Sequence, residues 1–230
     1  MSIQLPWLAD ATLDFPDTAT ALTEPNGLLA AGGDLRPARL LAAYRHGIFP
    51  WYSDNQPILW WSPDPRMVLF PEEINISRSL AKLLRNNPFT VTSDRAFAAV
   101  LSGCAGPRRG ASGTWLDPGM QAAYLRLHAA GHAHSVEVWQ DGNLAGGLYG
   151  IALDRIFYGE SMFSHVSNAS KVALVWLART MVDYGYQLID CQLQSPHLAS
   201  MGARLIPRSE FSLFLPQNSD ISRPARWPIQ

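Results

Sequence analysis

The segment LIDCQLQ, residues 188 to 194, sets a carboxylate and two amides at every second position. Read as a strand, it turns Leu188, Asp190, Gln192 and Gln194 to one face and Ile189, Cys191 and Leu193 to the other. A second acid, Glu160, stands in YGESMFS. In a strand over 155 to 163 it shares a face with Tyr158 and Met162. Strands joined through a helix are commonly neighbours, so Glu160 and Asp190 can face one cleft. A pair of acids in a cleft is suited to acid–base work. Carboxylates among apolar residues are costly unless paired or hydrogen-bonded, so the same two residues also read as satisfied polar groups at strand ends.

Other chemistry-bearing residues give weaker patterns. The turn before the helix that links the two acids, Ser164 to Lys171, has no glycine. It therefore lacks the backbone cradle that a pyrophosphate-bearing cofactor needs. Arg78, Lys82 and Arg85 fall at i, i+4 and i+7, one stripe of a helix. From residue 74 to 110 the cations are Arg78, Lys82, Arg85, Arg95, Arg108 and Arg109 against Asp94 alone. This local excess suits a phosphate backbone, and it equally suits a solvated helix face. Trp51, Trp60, Trp61 and Trp115 lie in proline- and glycine-rich segments, either as platforms for bases or as packing pegs. His132 and His134 share a strand face without a third ligand of metal spacing, so no metal site is expected. Cys191 faces away from Asp190 in an apolar run and reads as an inert thiol.

The elements that position these residues are legible from periodicity. Helices are expected near 37 to 46, with Asp34 as N-cap, at 77 to 86, from after Ser93 to Cys104, and from Pro118 to Gly131. Strands follow at 132 to 139, 144 to 153 and 155 to 163, then a helix at 169 to 184 capped by Asn168, then the 188 to 194 strand. The order helix, three-strand meander, helix, strand is an α+β (mixed α/β) plan ending in a βαβ unit. Residues 48 to 66 hold four prolines and read as loop with short extended pieces, and one short helix is expected after Pro207.

Composition bounds the function classes. The 230 residues are 47% hydrophobic, 16% charged and carry a formal net charge of −1, so global charge does not single out nucleic acid as a partner. The two cysteines lie outside any CxxC pattern, as in a reduced compartment. MSIQLPWLAD is no signal peptide, and no apolar run reaches bilayer length, so a cytoplasmic protein without a membrane is expected.

The blocks EPNGLLAAGGDL, GIFPWY, WWSPDPR, HAHSVEVW, YGESMFS, NASKVAL, LIDCQL and HLASMGA occur in this order. The ordered set, from about residue 22 to 207, resembles the bacterial leucyl/phenylalanyl-tRNA–protein transferases. The resemblance implies a GNAT-like C-terminal acyltransferase domain, here 63 to 230, and a smaller aromatic-rich N-terminal domain, 1 to 62. It implies transfer of leucine or phenylalanine, less readily methionine, from aminoacyl-tRNA to proteins with N-terminal Arg or Lys, which marks them for N-degron proteolysis. An aminoacyl ester is already activated, so no cofactor and no metal are implied.

The resemblance further implies that Asp190 takes up the proton through a relay with Gln192, while Glu160 holds the acceptor. Alternatively both acids only position the substrates, with the tRNA's terminal hydroxyl moving the proton. It implies an aminoacyl side-chain pocket of Leu148, Met162, Leu177 and Met181, adenosine contacts from Trp51 and Trp115, and acceptor-stem contacts from Arg78, Lys82 and Arg85. A monomer is expected. The competing expectations are an acyl-CoA-dependent GNAT-type N-acyltransferase and an aromatic-rich RNA-binding module without catalysis.

Overall fold

The computed structural model describes residues 5–53, 55–86, 88–106, 116–216 and 223–228. Two sheets organise the chain. The first is built from β1 (Trp7–Leu8), β2 (Leu28–Gly32), β3 (Phe49–Pro50) and β4 (Leu59–Trp61) in the order β1-β2-β4-β3, with α1 (Pro37–Arg45) between β2 and β3. The segment from 48 to 66 thus contains short extended pieces, as its prolines require. Those pieces pair into a sheet because Trp60 is buried and its indole donates to the Gly32 carbonyl at 2.9 Å. The expected cap of α1 differs: Arg36 occupies the N-cap without a side-chain bond. Asp34 instead accepts from the Arg36 backbone and from the side chains of Arg36 and Arg39.

The second sheet begins with β5 (Arg66–Leu69) and continues, after α2 (Arg78–Asn86), with the edge strand β6 (Thr90–Ser93). Helices α3 (Phe97–Ala105) and α4 (Pro118–Ala129) lead into the meander of β7 (Ala133–Gln140), β8 (Asn143–Leu153) and β9 (Ile156–Ser164). Helix α5 (Ala169–Asp183) crosses to β10 (Leu188–Gln192), followed by α6 (Pro196–Ser200), β11 (Arg204–Ile206) and α7 (Arg208–Ser212). The strand order is β11-β5-β10-β9-β8-β7-β6, with β9 and β10 parallel. A meander feeding a helix and then a parallel strand is the mixed α/β plan expected from the sequence periodicity. Asn168 does not cap α5 with its side chain: it adopts φ 69°, and the Ser170 amide is satisfied by Ser164 Oγ at 2.9 Å.

Two cores sandwich the second sheet. Tyr44, Val100, Leu101, Tyr124 and Leu127 from α1, α3 and α4 pack on one face with Tyr149, Ile151 and Tyr158. On the other face α5 packs with Leu80 of α2 and with Leu148, Phe157 and Ile189. No helix among the described residues is long and apolar enough to cross a membrane.

Candidate active site

Parallel pairing of β9 with β10 runs from Leu188↔Ile156 to Asp190↔Tyr158 and stops there, although β9 continues to Ser164. Beyond that level the strands part, and the gap is walled by Gly159 to His165 on one side and Cys191 to Ser195 on the other. The cavity measures about 770 Å³, a size that accepts a ligand rather than a few waters.

Each parting strand carries one extra residue at this level. Opposite β8, Gly159 pairs with Gly150 and Ser161 with Tyr149, which leaves Glu160 as the inserted residue. Opposite β5, Asp190 pairs with Val68 and Gln192 with Met67, which leaves Cys191 inserted. A bulge reverses the alternation beyond it. Met162 therefore packs with the α5 core while Tyr158 and the Glu160 carboxylate face the α1/α4 core, so the face expected to be common to all three is split. Asp190, bonded to Arg66 beside Phe49 and Phe211, and Gln192, bonded to Glu160 beside Tyr44 and Tyr124, both turn towards the first core. Gln192 takes φ 63°, and its side chain enters the cavity while Asp190 does not.

Glu160 is partly buried and held by three donors. Tyr44 Oη donates to Oε1 at 2.8 Å, Tyr124 Oη donates to Oε2 at 2.6 Å, and Gln192 Nε2 donates to Oε1 at 2.7 Å. The two phenol oxygens also lie 2.9 Å apart. Burial pushes the Glu160 carboxyl up to about 7, against the pull of those hydrogen bonds. Burial, then the charge of Glu160, holds both phenols well above their ordinary range, so they remain protonated. Three oxygen–oxygen contacts join Tyr44, Tyr124 and Glu160. With Glu160 ionised only two protons serve them, and a proton gained by Glu160 supplies the third.

Asp190 has a different environment. It is fully buried and forms a two-point ion pair with Arg66, Nε to Oδ1 at 2.8 Å and Nη2 to Oδ2 at 2.6 Å. Oδ1 also accepts from the Gln192 backbone at 2.9 Å. Asp190 thus touches Gln192 through its main chain, and Glu160 only by way of Gln192. Cys191 lines the cavity, but burial raises its thiol above the usual range and keeps it protonated.

The expected pocket residues Leu148, Met162 and Leu177 line the cavity with Leu174, Phe157 and Ile189. Met181 is fully buried in the same core and does not reach the cavity wall. Trp51, 42% exposed, stands at the wall beside Phe49 and Pro50, and its ring lies 5.6 Å from that of Trp61. Trp115 lies outside the described residues. Arg78, Lys82 and Arg85 are all exposed on α2, whose Leu80, Leu83 and Leu84 turn to the core. Among the described residues no acid clusters with histidine or cysteine in a way that holds a metal ion.

Tyr44, Tyr124 and Arg66 were not picked out by the sequence pattern. The two tyrosines sit at core positions of expected helices, where an aromatic reads as packing. Arg66 ends a proline-rich stretch just before MVLF, and a cation at the start of an apolar strand is the one signal that marks it.

Residues 68–216 match the family described as Leucyl/phenylalanyl-tRNA protein transferase, and residues 33–64 match its N-terminal domain. A leucyl/phenylalanyl-tRNA–protein transferase of Chromohalobacter salexigens is 64% identical over 213 residues, 93% of this chain and 83% of that protein. One of Stutzerimonas stutzeri is 59% identical over 223 residues, 97% and 99% of the two chains. Among solved structures, a GCN5-related N-acetyltransferase from Kribbella flavida is similar at TM-score 0.36 and 11% identity, covering 73% of this chain and 59% of that one. With both parts of the family matched in order and relatives of such identity along nearly its whole length, the chain belongs to the leucyl/phenylalanyl-tRNA protein transferase family.

Proposed function

We propose that this aminoacyltransferase moves leucine or phenylalanine, and less readily methionine, from aminoacyl-tRNA to the N-terminal Arg or Lys of acceptor proteins and so marks them for N-degron proteolysis. The observation that carries the reading is the position of Glu160, at the parting of two strands, between an apolar recess and an exposed tryptophan. The recess of Leu148, Met162 and Leu177 takes an aliphatic or aromatic side chain that is not branched at Cβ. Trp51 stacks on the terminal adenosine, with Trp115 as its second expected contact. The cationic stripe of α2 meets the acceptor stem through phosphates, with little sequence preference.

In the reaction the acceptor's α-amine attacks the carbonyl carbon of the 3′-ester. A C–N bond forms, the C–O bond to the ribose breaks, and the 3′-oxygen leaves with a proton. The amine must shed a proton to attack, and its ordinary pKa near ~8 lies close to that of a carboxyl held at about 7. Glu160 orients the amine and accepts that proton, and the phenols of Tyr44 and Tyr124 close around the protonated acid. Asp190 and Gln192 act in support: the Asp190 carboxylate fixes the Gln192 main chain, and the Gln192 amide aims Glu160.

The glycine-free turn from Ser164 to Lys171 supplies no cradle for a CoA pyrophosphate. We further propose that the domain boundary falls between the two sheets, near residue 62, and that the protein acts as a cytoplasmic monomer. Titration with leucyl-tRNA and, separately, with acetyl-CoA tests the functional reading. Saturable binding of the charged tRNA without CoA binding is expected, and tight CoA binding without tRNA binding contradicts it.

A further inference from the structure

The Arg66 side chain is 1% exposed, its guanidinium held among Asp190, Phe49 and Phe211. Two of its nitrogens hold Asp190 by two hydrogen bonds, and its Cζ lies over the Phe49 ring, 4.8 Å from the centroid, and over that of Phe211 in α7 at 4.7 Å. Phe49 is itself a cavity residue, one residue before Pro50 and two before Trp51. On the other side, Asp190 Oδ1 takes the Gln192 N–H at 2.9 Å. That bond anchors Gln192 at φ 63°, a conformation that residues with a Cβ rarely hold unaided. From that backbone the Gln192 amide reaches Glu160 at 2.7 Å. A continuous series of contacts therefore runs from Phe211 and Phe49 through Arg66, Asp190 and Gln192 to Glu160.

A buried ion pair is weak evidence for stability in itself. This pair ends in a strained residue whose side chain touches the acid at the cavity. A lysine in place of Arg66 would keep the charge but lose both the two-point fork and the delocalised cation over the two rings. We propose that Arg66 is a positioning residue of the transfer site, acting through Asp190 and the Gln192 main chain to set the Glu160 carboxylate. It also ties that carboxylate to the wall that carries Trp51. The inference rests on the reading of Glu160 as the group that meets the acceptor amine.

The test is a double-mutant cycle on leucine transfer to a peptide beginning with arginine, with Arg66→Lys, Gln192→Ala and both. Arg66→Lys lowers kcat roughly 10- to 100-fold, as displacement of a reacting group does, and leaves KM for the charged tRNA within about threefold. In the Gln192→Ala background the same substitution costs less than about twofold more, because the path it acts through is already cut. Phe211→Leu, which removes one ring under the guanidinium without touching Asp190, gives a smaller kcat loss of roughly 2- to 5-fold that also vanishes in Gln192→Ala. This second cycle decides the matter if Arg66→Lys fails to fold. Full kcat in Arg66→Lys, or losses that multiply with Gln192→Ala, overturns the positioning role while the wild type still transfers leucine. A wild type that transfers nothing overturns the functional reading as well.

Discussion

At the scale of single residues, a fully buried acid, Asp190, contrasts with a partly buried one, Glu160. Asp190 spends both oxygens on Arg66 and the Gln192 main-chain N–H. Glu160 is held by neutral donors only, and burial lifts its carboxyl to about 7. Turnover is therefore expected to rise with pH through about 7 as Glu160 ionises. Glu160→Gln should cost roughly 10²-fold or more in kcat and erase that inflection, leaving the titration of the amine near ~8. The same shift predicts a stability effect whose sign follows from proton linkage. Above the ordinary carboxyl range, near 4.5, the unfolded chain has lost the proton that the folded chain keeps until about 7. Ionisation thus removes stability across that window as pH rises. Melting curves should show Glu160→Gln gaining on the wild type from pH 4.5 to 7 and holding the gain above it. The types of these acids were legible in the sequence, and so was their shared neighbourhood. Their division of labour was not, because it depends on Arg66, Tyr44 and Tyr124, which are 124, 116 and 36 residues from the acids they bind.

Among the elements, the strands of the meander, α5 and β10 follow from hydrophobic period, since each buries a face that a period of two or 3.6 must supply. The bulges at Glu160 and Cys191 do not follow from it. An inserted residue leaves the local composition unchanged and appears only against the partner strand. Gly150 is part of that geometry: a Cβ there would stand 2.1 Å from the Tyr158 carbonyl oxygen and 2.6 Å from the Phe157 ring. Gly150→Ala is expected to destabilise the fold by about 1–3 kcal/mol, as forced overpacking does, and to reduce transfer by shifting β9 where Glu160 leaves it. An unchanged melting temperature would show that β8 gives way at no cost. Helix α2 was legible as a cationic stripe over an apolar face, and its three cations are exposed. Arg78→Ala and Arg85→Ala should each weaken binding of charged tRNA and lower the slope of log K against log salt by about one. The preference for leucine over phenylalanine should not move. A salt slope equal to the wild type's would make the stripe a solvated face.

At the scale of the molecule, the two sheets divide the work. The first contributes the wall with Phe49, Pro50 and Trp51, and the second contributes the parted strands with Glu160 and Gln192. The mixed α/β plan was legible because a meander, a helix and a parallel strand each carry their own pattern. The pairing of the first sheet was hidden because β2, β3 and β4 are short and lie among glycines and prolines. Both sheets meet at one cavity that holds an acid, an apolar recess and an aromatic surface, which is the set an aminoacyl ester and a cationic amine acceptor require. Transfer of labelled leucine from charged tRNA to a peptide beginning with arginine, beside one beginning with glutamate, tests this most directly. Label in the arginine peptide and none in the glutamate peptide is the expected result; label in neither, or equally in both, would contradict it.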